Sequence, residues 1–337
     1  MRKLLLLRRA TEEFGWRRIA FSLVVLVTLG WAGIIGLMVL LMQLQPGFMG
    51  MAHFSAVHHR VHDLTYGFLF ATAVVGILAQ LRRPSKNVAG QLMAVIPWVG
   101  LLLAAVLSTD AGVIRSSERM SVALLTGIVA LLHPTGRDFF RSFRLSRVNW
   151  LMLALVIIAA VPLLAFASTN IGLQGTVPDD HAALGHYGFM AAFSFTVVGV
   201  GLLASLRPDG WRLPAWVAGL LPALLGLASL VYPDVSSSLG PVWALAAIAW
   251  GAVFVAAAEL TKGVISKDDT GVRPDRGSLP STPRWVKVFG IIVIVVVLLV
   301  GIILITGVGG PHGPSRHIPS GDPGGPTPPI EQGVQQP

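Results

Sequence analysis

Imidazole, thioether and carboxylate side chains are concentrated in two short segments of this chain. The first segment places two methionines and four histidines within 14 residues: Met49, Met51, His53, His58, His59 and His62. The second segment contains Asp179, Asp180, His181 and His186. Imidazole is the commonest metal ligand, and thioether combined with imidazole suits copper better than magnesium or calcium. The two segments therefore predict a transition-metal site, with copper as the first candidate and zinc as another.

The spacing within each segment determines which side chains can share a ligand. In an extended chain Met49, Met51 and His53 point to one side, whereas on a helix His58 and His62 share one face. On a single helix His181 and His186, five residues apart, would diverge, so that only one would reach a shared ligand. Methionine is also a general filler of apolar gaps, so the first segment equally suits side chains that dip into a membrane interface.

The two segments must be positioned by apolar helices, because most of the chain is hydrophobic. Hydrophobic residues make up 54% of it and charged residues 12%, with a mean hydropathy of +0.72, which is too apolar for a soluble domain. Apolar runs of about 20 residues, the length that spans a bilayer, recur along the chain. The predicted fold class is an all-α, multi-pass membrane protein with about nine spans. They are residues 19–44, 63–81, 88–108, 119–133, 149–168, 186–206, 213–231, 241–260 and 288–306.

The basic residues predict the orientation of these spans. With a cytoplasmic N-terminus, 21 of the 25 Lys and Arg residues fall on the cytoplasmic side, and such an excess is typical of cytoplasmic loops. The C-terminus then lies outside, and the predicted location is the cytoplasmic membrane of a bacterium. Eight of the nine histidines fall on the outer side and only His133 on the inner side.

An internal repeat relates the two histidine-rich segments. A shift of 124 residues aligns three pairs: His62 with His186, Pro84 with Pro208, and Asp110 with Asp234. Residues 19–133 and 149–260 are therefore predicted to be two copies of a four-helix unit, with the ninth span as an addition. Because both copies begin on the cytoplasmic side, the axis that relates them runs along the membrane normal.

Such a repeat would bring two histidines and two aspartates to one depth around its axis. This set, consisting of His62, Asp110, His186 and Asp234, suits a divalent cation. The two histidines alone would suit the axial positions of a haem iron, which is the alternative cofactor. The two aspartates follow the third helix of each copy, where Asp commonly starts a turn, so capping of helix ends is the other interpretation.

The segments between and beyond the spans are polar. Residues 1–18 form a basic cytoplasmic N-terminus, 134–148 a basic cytoplasmic loop, 261–287 a cytoplasmic linker and 307–337 an outer tail that its Gly and Pro content predicts to be disordered. The basic stretch from Arg137 to Arg147 predicts contact with anionic lipid. The chain has no cysteine, which excludes disulfides and thiolate metal ligands.

Several classes of function are disfavoured. No nucleotide-binding or hydrolase motif is present, so no catalytic residue is predicted and a non-catalytic function is favoured. No span carries an ionisable residue near its middle, which disfavours proton-driven transport. The basic residues are spread over short loops, which disfavours nucleic acid as a partner. The expected partners are the lipid bilayer and other membrane proteins.

Three stretches resemble a group of uncharacterised bacterial multi-pass membrane proteins: Leu132–Asp138, Asp180–Phe189, and Pro283–Lys287 with the span and His/Gly/Pro tail that follow. This resemblance covers most of the chain and implies no activity. In topology only, the plan of four plus four helices is similar to haem A synthase, which implies haem ligation by His62 and His186. Spans four and eight lack the outer histidines of that family, and its outer-loop Glu and Cys pair are absent.

Three hypotheses for the function remain at this point. The first is binding or handling of a transition metal by the outward His/Met/Asp cluster. The second is a haem-binding redox membrane protein that uses His62 and His186. The third is an accessory or structural membrane subunit without a ligand.

Overall fold

The protein is described from a computed structural model that covers residues 2–44, 57–136, 143 and 147–261, with side chains in the first helix from residue 15 to residue 39. Within these ranges every regular element is helical and no strand occurs. The α-helices are α1 Arg2–Leu44, α2 Arg60–Leu78, α3 Val88–Leu107, α4 Ser117–Leu132, α5 Trp150–Thr176, α6 Asp180–Ala183, α7 His186–Leu206, α8 Arg212–Val231 and α9 Gly240–Leu260.

Seven helices in the described part of the chain are long and apolar enough to cross a membrane. They are α1, through its segment Gly15–Val39, together with α2, α3, α5, α7, α8 and α9. The helix α4 has 16 residues and is about 24 Å long, which is shorter than the roughly 30 Å hydrocarbon core of a bilayer. The predicted ninth span, residues 288–306, lies outside the described residues.

The helix bounds follow the hydrophobic runs closely, with two exceptions. Helix α1 begins at Arg2 rather than near residue 19. Helix α5 continues to Thr176, eight residues beyond the predicted end at 168. Thr169 and Asn170 hydrogen-bond to carbonyl groups one turn earlier in this helix, so polar residues that end a hydropathy run do not end the helix.

Helix α7 lies at the centre of the bundle. It is the most buried of the seven long helices and packs against α2, α3, α5 and α8. Helices α1 and α4 pack together at the periphery, where Trp31 Nε1 donates a hydrogen bond of 2.7 Å to Ser121 Oγ. Helices α2 and α7 also contact each other directly. Their neighbouring N-terminal ends therefore bring His62 close to His186.

Glycine allows the helices α8 and α9 to approach closely. A Cβ atom added at Gly219 would lie 2.6 Å from the carbonyl oxygen of Gly251, and one added at Gly226 would lie 2.5 Å from the carbonyl oxygen of Ala244. Small residues at helix interfaces permit such close backbone contact, and this packing helps to hold membrane helices together.

Replacing Gly219 by alanine is expected to destabilise the protein by about 1–3 kcal/mol, because the new methyl group forces α8 and α9 apart. The measurement is the thermal unfolding midpoint of the detergent-purified protein. Gly67→Ala is the matched control, since no atom lies within 4 Å of a Cβ at that position in α2. An equal midpoint for the two variants would contradict the predicted close contact.

Candidate metal centre

Five histidines meet at the end of the bundle where α2 and α7 begin, which we call the histidine end. A single 3-10 turn, Val57–His59, leads into α2 and presents His58 and His59, while His62 lies on the first turn of α2. The short helix α6 carries His181, and α7 begins with His186. The sequence predicted all five as ligand candidates, and the structure places them side by side.

Gly185 makes it possible for His181 and His186 to converge. It lies between α6 and α7 with a φ of +79°, a left-handed conformation that glycine adopts without strain. The chain therefore changes direction between the two histidines, and their predicted divergence on one continuous helix does not occur. An added Cβ at Gly185 would also lie 3.2 Å from Val113 Cα, so close packing requires glycine there as well.

Three of the histidines form a group that we call the buried triad, consisting of His62, His181 and His186. Each offers one ligand atom, and these atoms lie within 4.8 Å of one another. The rings of His62 and His186 are stacked with centroids 5.0 Å apart, and the ring of His181 lies 4.9 Å from that of His62. His62 is fully buried, and the side chains of His186 and His181 are 4% and 12% exposed.

A second group, the surface triad, consists of His58, His59 and His181, and its ligand atoms also lie within 4.8 Å of one another. The side chain of His58 is 56% exposed and that of His59 is 3% exposed. The two triads share His181. They are also joined by a contact of 3.1 Å between His59 Nδ1 and His186 Nδ1, in which one ring nitrogen donates a hydrogen bond to the other.

The imidazoles of the surface triad converge on the carboxylate of Asp180. Its Oδ2 atom lies 3.6 Å from His58 Nε2 and 3.3 Å from His59 Nε2, and its Oδ1 atom lies 3.2 Å from His181 Nδ1. Desolvation alone would raise the pKa of Asp180, but His181 and His59, with a hydrogen bond from His58, hold the pKa below its ordinary value. The surface triad therefore surrounds a negative charge.

Two further aspartates border the cluster. Asp63 Oδ1 lies 3.7 Å from His186 Nε2. Asp179 Oδ1 caps α6 by accepting a hydrogen bond from the backbone of Ala182, and its Oδ2 accepts one of 2.7 Å from the Tyr187 hydroxyl. Asp179 and Asp180 also form a group with His181 whose ligand atoms lie within 4.8 Å. Carboxylate oxygens are thus available next to the imidazoles.

Side chains from other elements hold this arrangement in place. Ser237, in the loop between α8 and α9, forms a short hydrogen bond with His62 Nε2. Gln174, on the extended end of α5, donates to the carbonyl of Ala182 and accepts from the backbone N–H of Gly188. The guanidinium of Arg119 lies 4.8 Å from the centre of the Phe189 ring. Three further segments of the chain therefore help to position the histidines.

The two aspartates predicted from the repeat lie outside these groups of ligand atoms. Asp110 accepts hydrogen bonds from the backbone of Gly112 at 2.7 Å and from Gln174 Nε2 at 2.6 Å, which is the capping role considered for it. Asp234 is exposed in the loop after α8. Neither belongs to the groups that the described residues form within ligand distance.

The remaining predicted ligands have different positions. Met49, Met51 and His53 lie outside the described residues. His133 lies at the opposite end of the bundle, where its Nδ1 contacts Thr135 Oγ1 at 2.7 Å and its Nε2 contacts Gln80 Oε1 at 3.2 Å. Its environment is that of a buried structural histidine.

Sequence reasoning missed the roles of Ser237, Gln174 and Tyr187. The only available signal for Ser237 was the run Ser236-Ser237-Ser238 in the loop after α8, at a predicted outer end. Gln174 and Tyr187 carried no signal, because Gln174 lay beyond the predicted end of its span and Tyr187 resembled an interfacial aromatic.

Comparisons of the chain with models of known protein families, with curated proteins and with solved structures find no match. The geometry of the histidine end is therefore the basis for assigning a function.

Proposed function

We propose that this protein is a multi-pass protein of the cytoplasmic membrane that binds a divalent transition-metal ion through His62, His181 and His186. Three imidazoles with an open fourth position are a common ligand set for zinc, and imidazole suits copper equally well. The role is binding or handling of the ion. The observation that carries the proposal is the buried triad, whose ligand atoms lie within 4.8 Å of one another.

The hydrogen bonds around the triad support this proposal. Metal-binding histidines almost always have their second ring nitrogen held by a partner, which fixes the orientation of the ring. His181 Nδ1 lies 3.2 Å from Asp180 Oδ1, His62 Nε2 contacts Ser237, and His186 Nδ1 contacts His59. The other nitrogen of His181, Nε2, is buried and has no hydrogen-bond partner among the described residues. Such an atom is costly to bury unless a ligand contacts it.

The donor set bears on which metal is bound. The described donors are imidazole nitrogens and carboxylate oxygens, which suit zinc and divalent copper. The preference for copper comes from the thioethers of Met49 and Met51, with His53 beside them. Copper is the first candidate and zinc the second, and elemental analysis distinguishes them directly.

The orientation of the rings favours a metal ion over haem. In a haem with two axial histidines the porphyrin lies between the imidazoles, and each ring points a nitrogen at the iron from opposite sides. The rings of His62 and His186 are instead stacked with their centroids 5.0 Å apart, which leaves no room for a porphyrin between them. A porphyrin would have to separate α2 from α7, which are packed against each other.

The proposed topology places the histidine end outside the cell. With the short α4 as the fourth span and residues 288–306 as the ninth, 21 of the 25 Lys and Arg residues lie on the cytoplasmic side.

Contacts between the two predicted copies support the duplicated unit. In the repeat α2 corresponds to α7 and α3 to α8, and α3 packs on α7 just as α8 packs on α2. The loops that follow α3 and α8 make corresponding contacts. Val113, after α3, packs on Gly188 at the start of α7, and Ser237, after α8, contacts His62 at the start of α2. Arg83 and Arg207, one repeat apart, both adopt the left-handed conformation.

The proposal predicts that copper or zinc raises the thermal unfolding midpoint of the purified protein. An ion that binds only the folded state stabilises it by about 2.7 kcal/mol at about 100 times its Kd. The double variant His62→Ala/His186→Ala should lose this rise, while the control His133→Gln should keep it. The measurement is the midpoint with and without the ion, combined with elemental analysis and an absorbance spectrum. A Soret band with stoichiometric iron would support haem instead, and absence of both ions and haem would leave the accessory function.

A further inference from the structure

The two triads differ in their access to solvent although they share a residue. The surface triad begins at His58, whose side chain is 56% exposed, and it surrounds the carboxylate of Asp180, whose side chain is 62% exposed. The buried triad ends at His62, which is fully buried. His181 is 12% exposed and belongs to both. The imidazoles therefore form a continuous series from the surface into the bundle.

The distances along this series are short enough for an ion to exchange ligands without returning to water. The ring centroids of His58 and His59 are 4.1 Å apart, those of His59 and His181 are 4.7 Å apart, and those of His181 and His62 are 4.9 Å apart. His59 also reaches the buried triad directly, through its contact with His186. At each step the next imidazole lies beside the previous one.

The two ring nitrogens of His181 lie in different environments. Its Nδ1 faces the carboxylates of Asp179 and Asp180 at 3.8 and 3.2 Å, on the side of the exposed groups. Its Nε2 is a buried atom without a hydrogen-bond partner in the described part of the chain. A single imidazole thus has one nitrogen on the solvent side of the cluster and one in its interior.

Charge favours capture of a cation at the surface triad. The exposed carboxylate of Asp180 lies within 3.6 Å of ring nitrogens of all three imidazoles, and an exposed charge of opposite sign raises the rate at which an ion arrives. Deeper in the cluster the carboxylate of Asp63, whose side chain is only 15% exposed, lies 3.7 Å from His186 Nε2. The cluster therefore has an exposed, charged position followed by an enclosed one.

We propose that the metal ion is captured at the surface triad and transferred by ligand exchange at His181 into the buried triad, so that one ion occupies the two positions in turn. This inference rests on the proposed metal binding and adds the route by which the ion arrives. It involves no redox step, because bonds from imidazole nitrogens to the ion form and break in sequence.

The test is a kinetic comparison of the full-length, detergent-purified protein with its His58→Ala variant, using copper or zinc ions alone. Because His58 contributes only to the surface triad, we expect ion association and dissociation to slow by a common factor of about tenfold. The equilibrium Kd should then change by less than about threefold. Stopped-flow mixing with a chelating dye measures both rates, and elemental analysis at saturation should give one ion per chain.

A charge-matched pair of variants separates attraction of the ion by Asp180 from attraction by exposed carboxylates in general. Asp180→Asn should slow association, whereas Glu118→Gln, which removes an exposed carboxylate near the start of α4, should leave the rate unchanged. Equal rates for the wild type and His58→Ala, or two ions bound at saturation, would overturn the transfer and leave metal binding intact. Absence of any bound ion in the wild type would instead overturn the proposed function itself.

Discussion

Substitution of His181 by alanine is expected to weaken metal binding by at least about 100-fold, more than any other single substitution in the cluster. His181 belongs to all three groups of ligand atoms that lie within 4.8 Å of one another. Its removal leaves the buried triad with two imidazoles and removes the residue that both triads share. The measurement is a competition titration of the full-length protein against a chelator of known affinity, with copper or zinc.

Tyr187→Phe is the control that removes a neighbouring hydrogen bond without removing an imidazole. The Tyr187 ring lies 5.7 Å from that of His181 and 5.9 Å from that of His62, and its hydroxyl donates to Asp179. The phenylalanine keeps the ring and removes only the hydroxyl group, so we expect a loss of less than about tenfold. Similar losses for His181→Ala and Tyr187→Phe would mean that both substitutions act by disturbing the hydrogen bonds around the cluster and that His181 is not a ligand.

The helices of this protein were predictable because a bilayer-spanning segment requires a long apolar run. The start of α7 at His186 and its end at Leu206 were predicted to the residue. The end of α5 was missed because hydropathy treats Asn170 and Gln174 as polar, whereas both make hydrogen bonds inside the fold. A hydropathy scale assigns each polar side chain the free-energy cost of leaving water without a hydrogen bond. It overestimates that cost for side chains that are hydrogen-bonded inside the fold.

The candidate site was predictable in its residue types but not in its geometry. The counts and spacing of the histidines indicated ligands, and the repeat indicated that His62 and His186 would be close. The convergence of His181 depends on the left-handed conformation of Gly185, and glycine occurs too often for this role to be recognised from sequence. The contact of Ser237 with His62 joins residues 175 positions apart, which no local pattern encodes.

The two ends of the bundle use histidine in opposite ways. At the histidine end, five imidazoles lie beside one another and beside three carboxylates, so that their ligand atoms form groups within 4.8 Å. At the opposite end, His133 is 1% exposed and joins the loop after α4 to Gln80 after α2. Gln80 Nε2 in turn donates to the carbonyl groups of Gly76 and Asn87. His133 thus connects two loops through a buried hydrogen-bond network.

This buried position should make the stability of the protein depend on pH through His133. Burial lowers the pKa of His133 from 6.5 to about 4 in the folded protein, although a hydrogen bond with the backbone of Pro84 opposes the shift. Between pH 6.5 and about 4 the unfolded chain therefore binds more protons at this position than the folded protein. The stabilisation is complete above pH 6.5 and is lost as pH falls through this range. It amounts to at most about 3–4 kcal/mol.

The measurement is the thermal unfolding midpoint at pH 7 and pH 4.5, in the presence of a chelator, for the wild type and His133→Gln. The variant keeps a neutral hydrogen-bonding side chain, so its midpoint should fall less between the two pH values than that of the wild type. Because the other histidines are unchanged in His133→Gln, the difference between the two pH dependences isolates His133. Parallel pH dependences for the wild type and His133→Gln would contradict a neutral, buried His133 as a determinant of acid stability.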